Sequence, residues 1–249
     1  MVLEGKIALI TGGSRGLGAA IAANFSRRGA IGVIVDLSPP SEGEGLPPGF
    51  VFQRVDVTDE RSLAAAVEVV ISTYGRLDVV VANAGVVPHW SRTVEVALEQ
   101  WDAVLSVNAR AVLATIKATA PELEKTQGNV VVMCSINAEV AHARQLVYVA
   151  SKHAALGVMR AAALDLGAAG VRVNGVAPGP VATEALVGRV RERAKGGPSE
   201  SEAFAAMAAQ TALKRLATAD EVADAVAFLA SPMASGIAGQ LLRVDAGLA

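Results

Sequence analysis

Tyr148 and Lys152 stand four residues apart in a stretch that reads as helix, and Ser135 precedes the tyrosine by thirteen residues at the end of an aliphatic run. Residues four apart share a helix face, so the phenol and the ammonium project into one site. A free tyrosine, with a pKa of about 10, is nearly inert as a base near neutrality. A neighbouring ammonium favours phenolate over phenol and brings such a group toward the range where general acid–base catalysis works. A hydroxyl such as that of Ser135 can hold a carbonyl or alcohol oxygen beside the pair. The three side chains together could add or remove the proton of an alcohol. A Tyr-x-x-x-Lys pair alone has little weight, because ordinary helices carry such pairs often. It gains weight from the other end of the chain.

There the run Lys6 to Ile10 reads as a buried strand. It leads into Thr11-Gly12-Gly13-Ser14-Arg15-Gly16-Leu17-Gly18 and then the helix-forming stretch Ala19 to Arg28. Strand, glycine-rich turn and helix start make a phosphate cradle: glycine lets the backbone approach a pyrophosphate, and the helix N-terminus offers free N–H groups. The spacing is neither G-x-G-x-x-G nor G-x-x-x-x-G-K-S/T, and an ordinary glycine turn is the plainer alternative. A second aliphatic run, Ile31 to Val35, ends in Asp36, eighteen residues after Gly18. An acidic residue at about that distance can accept hydrogen bonds from an adenosine ribose.

The elements that must position these groups alternate between strand and helix. Strands are expected at about 6–11, 31–36, 50–56, 77–82, 129–135, 172–176 and 240–245. Helices fill most of the gaps, among them Glu60 to Thr73, one long helix from about Glu99 to Leu123, and Tyr148 to Ala168. Such alternation predicts an α/β fold, a Rossmann-like, doubly wound, parallel seven-stranded sheet with helices on both faces. Residues 37–49 are rich in Pro, Gly and Ser and read as a surface loop. With neither internal repeat nor linker, residues 1–249 are expected to form a single domain.

Composition narrows the function classes. Apolar residues make up 52% and aromatics only 4%, which suits a parallel sheet buried on both faces by aliphatic side chains. A net charge of -2 gives no general reason to bind nucleic acid or an anionic membrane. No signal peptide is apparent and no stretch approaches the ~20 apolar residues that span a bilayer, so a cytoplasmic protein is expected. The single cysteine, Cys134, reads as a small apolar residue of an interior strand. His89, His142 and His153 show no metal-ligand spacing, so no metal is expected. His89 and His142 flank the expected cleft.

Over essentially all 249 residues the chain closely resembles the short-chain dehydrogenase/reductase family. The family's T-G-x-x-x-G-x-G motif matches Thr11 to Gly18, its N-A-G element Asn83-Ala84-Gly85, and its P-G motif Pro178-Gly179, with Val181 and Thr183 beyond. Its catalytic asparagine, serine, tyrosine and lysine match Asn108, Ser135, Tyr148 and Lys152. The resemblance implies hydride transfer between a nicotinamide and a secondary alcohol or ketone. Tyr148 would handle the proton, Lys152 would assist it and hold the nicotinamide ribose, Ser135 would bind the substrate oxygen, and Asn108 would keep a relay water. Gly12, Ser14, Arg15, Gly16, Leu17 and Gly18 would cradle phosphate. Asp36 and Leu37 would meet the ribose, and Asp56 and Val57 the adenine. Val181 and Thr183 would fix the carboxamide. Asp36 favours NAD, whereas Arg15 leaves NADP possible.

Two other functions stay open at this point: a 3-oxoacyl thioester reductase acting on carrier-protein or coenzyme A substrates, supported by the basic run 189–195 and Arg172, and a catalytically silent nucleotide sensor. The basic run also reads as a solvated helix face. The family closes the region 184–213 over substrate, and pocket walls are expected from 86–92, 137–145 and that segment. Trp90, His142 and Leu146 would make the pocket partly apolar. Two helices, Asn108 to Ala120 and Ala154 to Leu166, look apolar nearly all round, which predicts a homo-oligomer, a tetramer in the family's manner.

Overall fold

The computed structural model describes residues 1–41, 43, 45–194 and 197–248. Seven strands, β1 (Ile7–Thr11), β2 (Ile31–Asp36), β3 (Phe50–Arg54), β4 (Val79–Ala82), β5 (Asn129–Met133), β6 (Arg172–Pro178) and β7 (Leu241–Val244), form one parallel sheet. Their order is β3-β2-β1-β4-β5-β6-β7. Because β1 pairs with both β2 and β4, the winding reverses between β1 and β4. Loops leaving the carboxyl ends of those two strands diverge there and open a crevice.

Side-chain alternation along the strands divides the core in two. Leu9, Val33, Val80, Val130 and Val173 pack to one face with α2 (Glu60–Tyr74), α4 (Ala111–Thr126) and α5 (Leu146–Gly167). Ala8, Ile10, Ile34, Val79 and Val131 pack to the other, with α1 (Gly16–Arg27) and α8 (Ala219–Ala230). This is the doubly wound fold expected from the sequence. Three further helices, α3 (Leu98–Leu105), α6 (Glu184–Ala194) and α7 (Glu200–Ala209), lie outside these layers or at their ends. Among the described residues, no helix is long and apolar enough to cross a membrane.

Several expectations are corrected in detail. β4 opens at Val79 rather than Leu77, because Asp78 holds the start of the sheet. Its carboxylate accepts from the Ile7 N–H at 3.1 Å and from Arg76 and Lys6. β5 ends at Met133, and Ser135 begins a short 3-10 turn, its hydroxyl accepting from the Asn137 N–H at 3.2 Å. The single long helix expected from Glu99 to Leu123 is α3 and α4 joined by a π turn, Ser106–Arg110. A π turn holds one more residue than an α turn and often marks a functional position. Here it contains the fully buried Asn108.

Candidate active site

The glycine turn and the N-A-G element leave adjacent strands and are tied together by Thr11. Its hydroxyl accepts from the Asn83 and Ala84 N–H groups, both at 3.0 Å. Asn83 returns the contact, its side-chain amide donating to the Thr11 and Gly12 carbonyls at 2.9 and 2.8 Å. The close approach explains two of the glycines. Gly12 has φ +62°, and a Cβ there would lie 2.8 Å from Ala84 Cα. A Cβ on Gly18 would run into the Gly12 carbonyl oxygen. The turn is therefore shaped by its lack of side chains.

Around α5 three of the residues expected to be catalytic, Tyr148, Lys152 and Asn108, lie together. Tyr148 and Lys152 lie one turn apart, with the ammonium 5.8 Å from the centre of the tyrosine ring. Lys152 is buried, and Nζ donates to the Met133 carbonyl at 2.8 Å. Among the described residues it has no carboxylate within ion-pair distance. Gly85 lies against the same place, since a Cβ on it would sit 3.6 Å from Lys152 Nζ and 3.3 Å from Asn108 Oδ1. Asn108 accepts from the Val86 N–H at 2.8 Å through Oδ1, and donates to the Val86 carbonyl at 2.8 Å and to Ser151 Oγ at 3.0 Å through Nδ2. Ser151 in turn donates to the Tyr148 carbonyl at 2.8 Å. Both Asn108 amide hydrogens are thus engaged, and its side chain braces the tyrosine's helical turn against the loop after β4.

The cofactor expectation can be tested on these residues. The Ser14 hydroxyl, in the glycine turn, is buried with no hydrogen-bond partner among the described residues. Most buried polar atoms have one, so the turn lacks a partner that a phosphate or ribose oxygen would provide. Asp36 is held in place by two backbone groups, Ser14 N–H at 3.1 Å and Leu37 N–H at 2.7 Å, one to each carboxylate oxygen. A carboxylate oxygen can accept more than one hydrogen bond, so capacity remains for ribose hydroxyls. Lys152, with one of three N–H groups engaged by Met133, has donors to spare. Asp56 is exposed after β3, its Oδ1 taken by the Thr58 N–H and hydroxyl, and Val57 is buried beside it. Beyond β6, Gly179 donates to the Val244 carbonyl at 3.0 Å, Val181 bridges to Ala217, and the Thr183 N–H donates to the Val181 carbonyl at 2.7 Å. The residues present fit a dinucleotide laid across the crevice from Asp36 to Lys152.

A family model described as enoyl-(acyl carrier protein) reductase matches residues 12–249. The chain is 36% identical over 255 residues to a (-)-isopiperitenol/(-)-carveol dehydrogenase of Mentha piperita, covering 99% of this chain and 94% of that one. The chain belongs to the short-chain dehydrogenase/reductase family. It is 34% identical over 258 residues to a 3-oxoacyl-(acyl-carrier-protein) reductase of Thermotoga maritima, covering 100% of this chain and 99% of the relative. The ligand-free aldohexose dehydrogenase of Thermoplasma acidophilum superposes with a TM-score of 0.92 at 28% identity, over 99% of this chain and 94% of that one. As a member of this family the chain is an oxidoreductase acting on CH–OH groups.

Some features of this family member escaped the sequence reading. One is Ser151, which accepts from Asn108 and donates to the Tyr148 carbonyl, and whose only signal in the sequence is its place next to Lys152. Asn137 and Gln145, the two ends of the expected wall 137–145, are joined by a 2.7 Å bond from the Asn137 amide to Gln145 Oε1. Arg172 lies at the opposite end of the sheet from the site, where its guanidinium donates to the Leu229 and Ser231 carbonyls and burial lowers its pKa. It therefore gives no support to a carrier-bound substrate at the crevice. His89 and His142 are exposed. In the basic run Arg191 pairs with Glu200 at 2.7 Å, while the Arg193 side chain and Lys195 lie outside the described residues. Cys134 is buried beside Ser135, and burial pushes its thiol up to about 11, so it is no nucleophile near neutrality.

Proposed function

We propose that this chain moves a hydride between NAD(H) and a secondary alcohol or ketone, with Tyr148 as the acid–base group. The observation that carries this reading is Lys152: a buried cation beside Tyr148, without a carboxylate within ion-pair distance among the described residues and with donors to spare. A buried charge is costly unless something pairs with it. A phenolate on one side and ribose hydroxyls on the other would do so. Bound nicotinamide would supply the hydride donor or acceptor. In oxidation Tyr148 takes the hydroxyl proton of the substrate, and in reduction it returns that proton to the ketone oxygen. Ser135 donates to the same oxygen and stabilises charge as it develops. Lys152 holds the phenolate and the ribose. Asn108 keeps the Tyr148 turn in register, and the unused acceptor capacity of its Oδ1 is where a relay water could bind.

Asp36 favours NAD over NADP in this proposal, because a 2′-phosphate would meet its carboxylate at short range. Arg15, exposed on the turn, opposes that preference. The 184–213 segment serves as the cover: α6 is pinned by the buried Val190, while α7 has no buried residue. A homo-oligomer belongs to the same proposal. α5 buries Ala155, Leu156, Met159 and Ala163 and exposes Ala154, Gly157, Ala161 and Leu164, and α4 exposes Leu113. These small and apolar positions suit close packing against another copy. The thioester reading has the Thermotoga relative's name in its favour, and tethered against free ketones separate the two. The test of the main reading is a screen of alcohols and ketones that follows reduced nicotinamide by absorbance. Turnover of free secondary alcohols or ketones supports it, and activity confined to carrier-bound thioesters overturns it.

A further inference from the structure

Two hydrogen bonds tie the end of β5 to α5, and they bracket Ser135 on one segment and Tyr148 on the other. Lys152 Nζ donates to the Met133 carbonyl at 2.8 Å, and the Asn137 side-chain amide donates to Gln145 Oε1 at 2.7 Å. Met133 and Asn137 each stand two residues from Ser135, while Gln145 and Lys152 stand three before and four after Tyr148. Asn137 reaches Ser135 a second way, its backbone N–H donating to Ser135 Oγ at 3.2 Å. That bond fills an acceptor position of the hydroxyl and leaves its hydrogen to donate elsewhere. Asn137 is buried, where a polar side chain is kept with a partner. Gln145 is the N-cap residue of α5, yet its side chain makes no capping bond and turns to Asn137 instead. The chain enters Gln145 from Arg144 at φ +66°, a left-handed conformation that residues with a side chain seldom adopt. The Arg144 carbonyl there accepts from the Ser91 N–H at 3.1 Å. Strain of this kind persists where surrounding contacts hold it, and it collects at functional sites.

We infer that Asn137 and Gln145 are positioning residues, whose amide–amide bond sets the spacing between the Ser135 hydroxyl and the Tyr148 phenol. The inference rests on the reaction proposed at Tyr148 and adds the pair that holds its two oxygens to one substrate oxygen. The other tie runs through Lys152, which in that reaction also serves the phenolate and the ribose, so its surroundings change as the proton moves. The amide pair carries no charge and keeps its bond whichever way the proton goes.

The experiment measures kcat and KM for a free ketone that the wild type reduces with NADH. Gln145→Met, which keeps the length of the half-buried side chain and removes its hydrogen bond, is compared with Gln145→Glu, which keeps the acceptor. Each is made alone and in a Ser135→Ala background, with Tyr148→Phe as the chemistry control. Gln145→Met should lower kcat by about ten- to hundredfold, the range that loosened positioning costs, and Gln145→Glu should retain more of it. The NADH dissociation constant, read by fluorescence quenching, should not change. In the Ser135→Ala background Gln145→Met should cost about threefold or less, because the group it positions is already gone; contacting residues that act together are non-additive in this way. Asn137→Ala should match Gln145→Met, and the double variant should be no worse than either. A purely structural defect would cost the same factor with or without Ser135, and that result overturns the inference. A change confined to KM overturns it as well, since it makes Gln145 a substrate contact. Tyr148-dependent turnover that Gln145→Met leaves untouched sinks the positioning role while the reaction stands. If the wild type turns over no free alcohol or ketone, the proposed reaction fails and this inference fails with it.

Discussion

Asn108→Ala tests whether the buried Asn108 side chain braces the turn that carries Tyr148. The substitution removes three hydrogen bonds, two to the Val86 backbone and one to Ser151 Oγ. At about 1 kcal/mol net each, the simple sum is about 3 kcal/mol. Val86 is 44% exposed, so water can take over part of its two bonds. Ser151 is fully buried and keeps only its donation to the Tyr148 carbonyl. A loss of about 2 kcal/mol is the discounted figure. For a chain of this size, that corresponds to a fall in Tm of about 4–8 °C. Catalysis should fall further than stability requires, because the turn carrying Tyr148 and Lys152 loses its anchor. We expect kcat to drop about ten- to hundredfold at a temperature well below the new Tm, of the order that loosened positioning costs. Asn108→Asp, the same shape with acceptors only, should be no better, since it sets a carboxylate oxygen against the Val86 carbonyl. Scanning calorimetry and steady-state kinetics on the same preparations read both effects. An unchanged Tm together with an unchanged kcat in Asn108→Ala would refute the bracing role.

Other outcomes follow from the same geometry. The kcat/KM ratio for NADH over NADPH should exceed one in the wild type and fall by about tenfold or more in Asp36→Ser, as expected for removal of like-charge repulsion at short range; a wild-type preference for NADPH would overturn the role given to Asp36. At Asp78, burial pushes the carboxyl up, but Arg76, the Ile7 N–H and Lys6 outweigh it and hold it below the usual carboxylate range. Its folded pKa is thus depressed, so its contribution to stability is full above the ordinary carboxylate pKa and is lost as pH falls through the folded value. Asp78→Asn should therefore lower the Tm clearly at pH 7, by an amount that shrinks as pH falls through the folded carboxyl's own titration, and a loss that stays constant over the whole acid range would contradict this. Cys134, with its thiol pushed up to about 11 by burial, should stay unlabelled by an aromatic disulfide reagent at pH 8 until the protein unfolds. Prompt stoichiometric labelling of the native protein would show the thiol to be accessible and ionised.

Much of the fold was legible in the sequence because the strands are short aliphatic runs separated by helix-length stretches. The site's main residues were legible because their spacing survives folding: Tyr148 and Lys152 share a helix face, and Thr11 to Gly18 occupy one turn. What stayed hidden depends on contacts between distant segments. The π turn at Asn108 differs from α-helix by one residue, and nothing in Ser106 to Arg110 breaks helix locally. Asp78 reads as an ordinary residue before a strand until Lys6, Ile7 and Arg76 are brought to it. Arg172 and the arginines of α6 carry the same charge in sequence. Only the fold shows that Arg172 caps the far end of the sheet and that Arg191 meets Glu200.

The central claim is that Tyr148 handles the proton while Lys152 both supports it and holds the cofactor. Tyr148→Phe and Lys152→Ala, each measured for NADH binding by fluorescence and for turnover of an alcohol or ketone found active in the wild type, test it most directly. The account predicts that Tyr148→Phe binds NADH nearly as tightly as the wild type while losing about 10²–10⁴-fold in kcat, the usual contribution of a general acid–base group. It predicts that Lys152→Ala is impaired in both. Near wild-type turnover by Tyr148→Phe would contradict it.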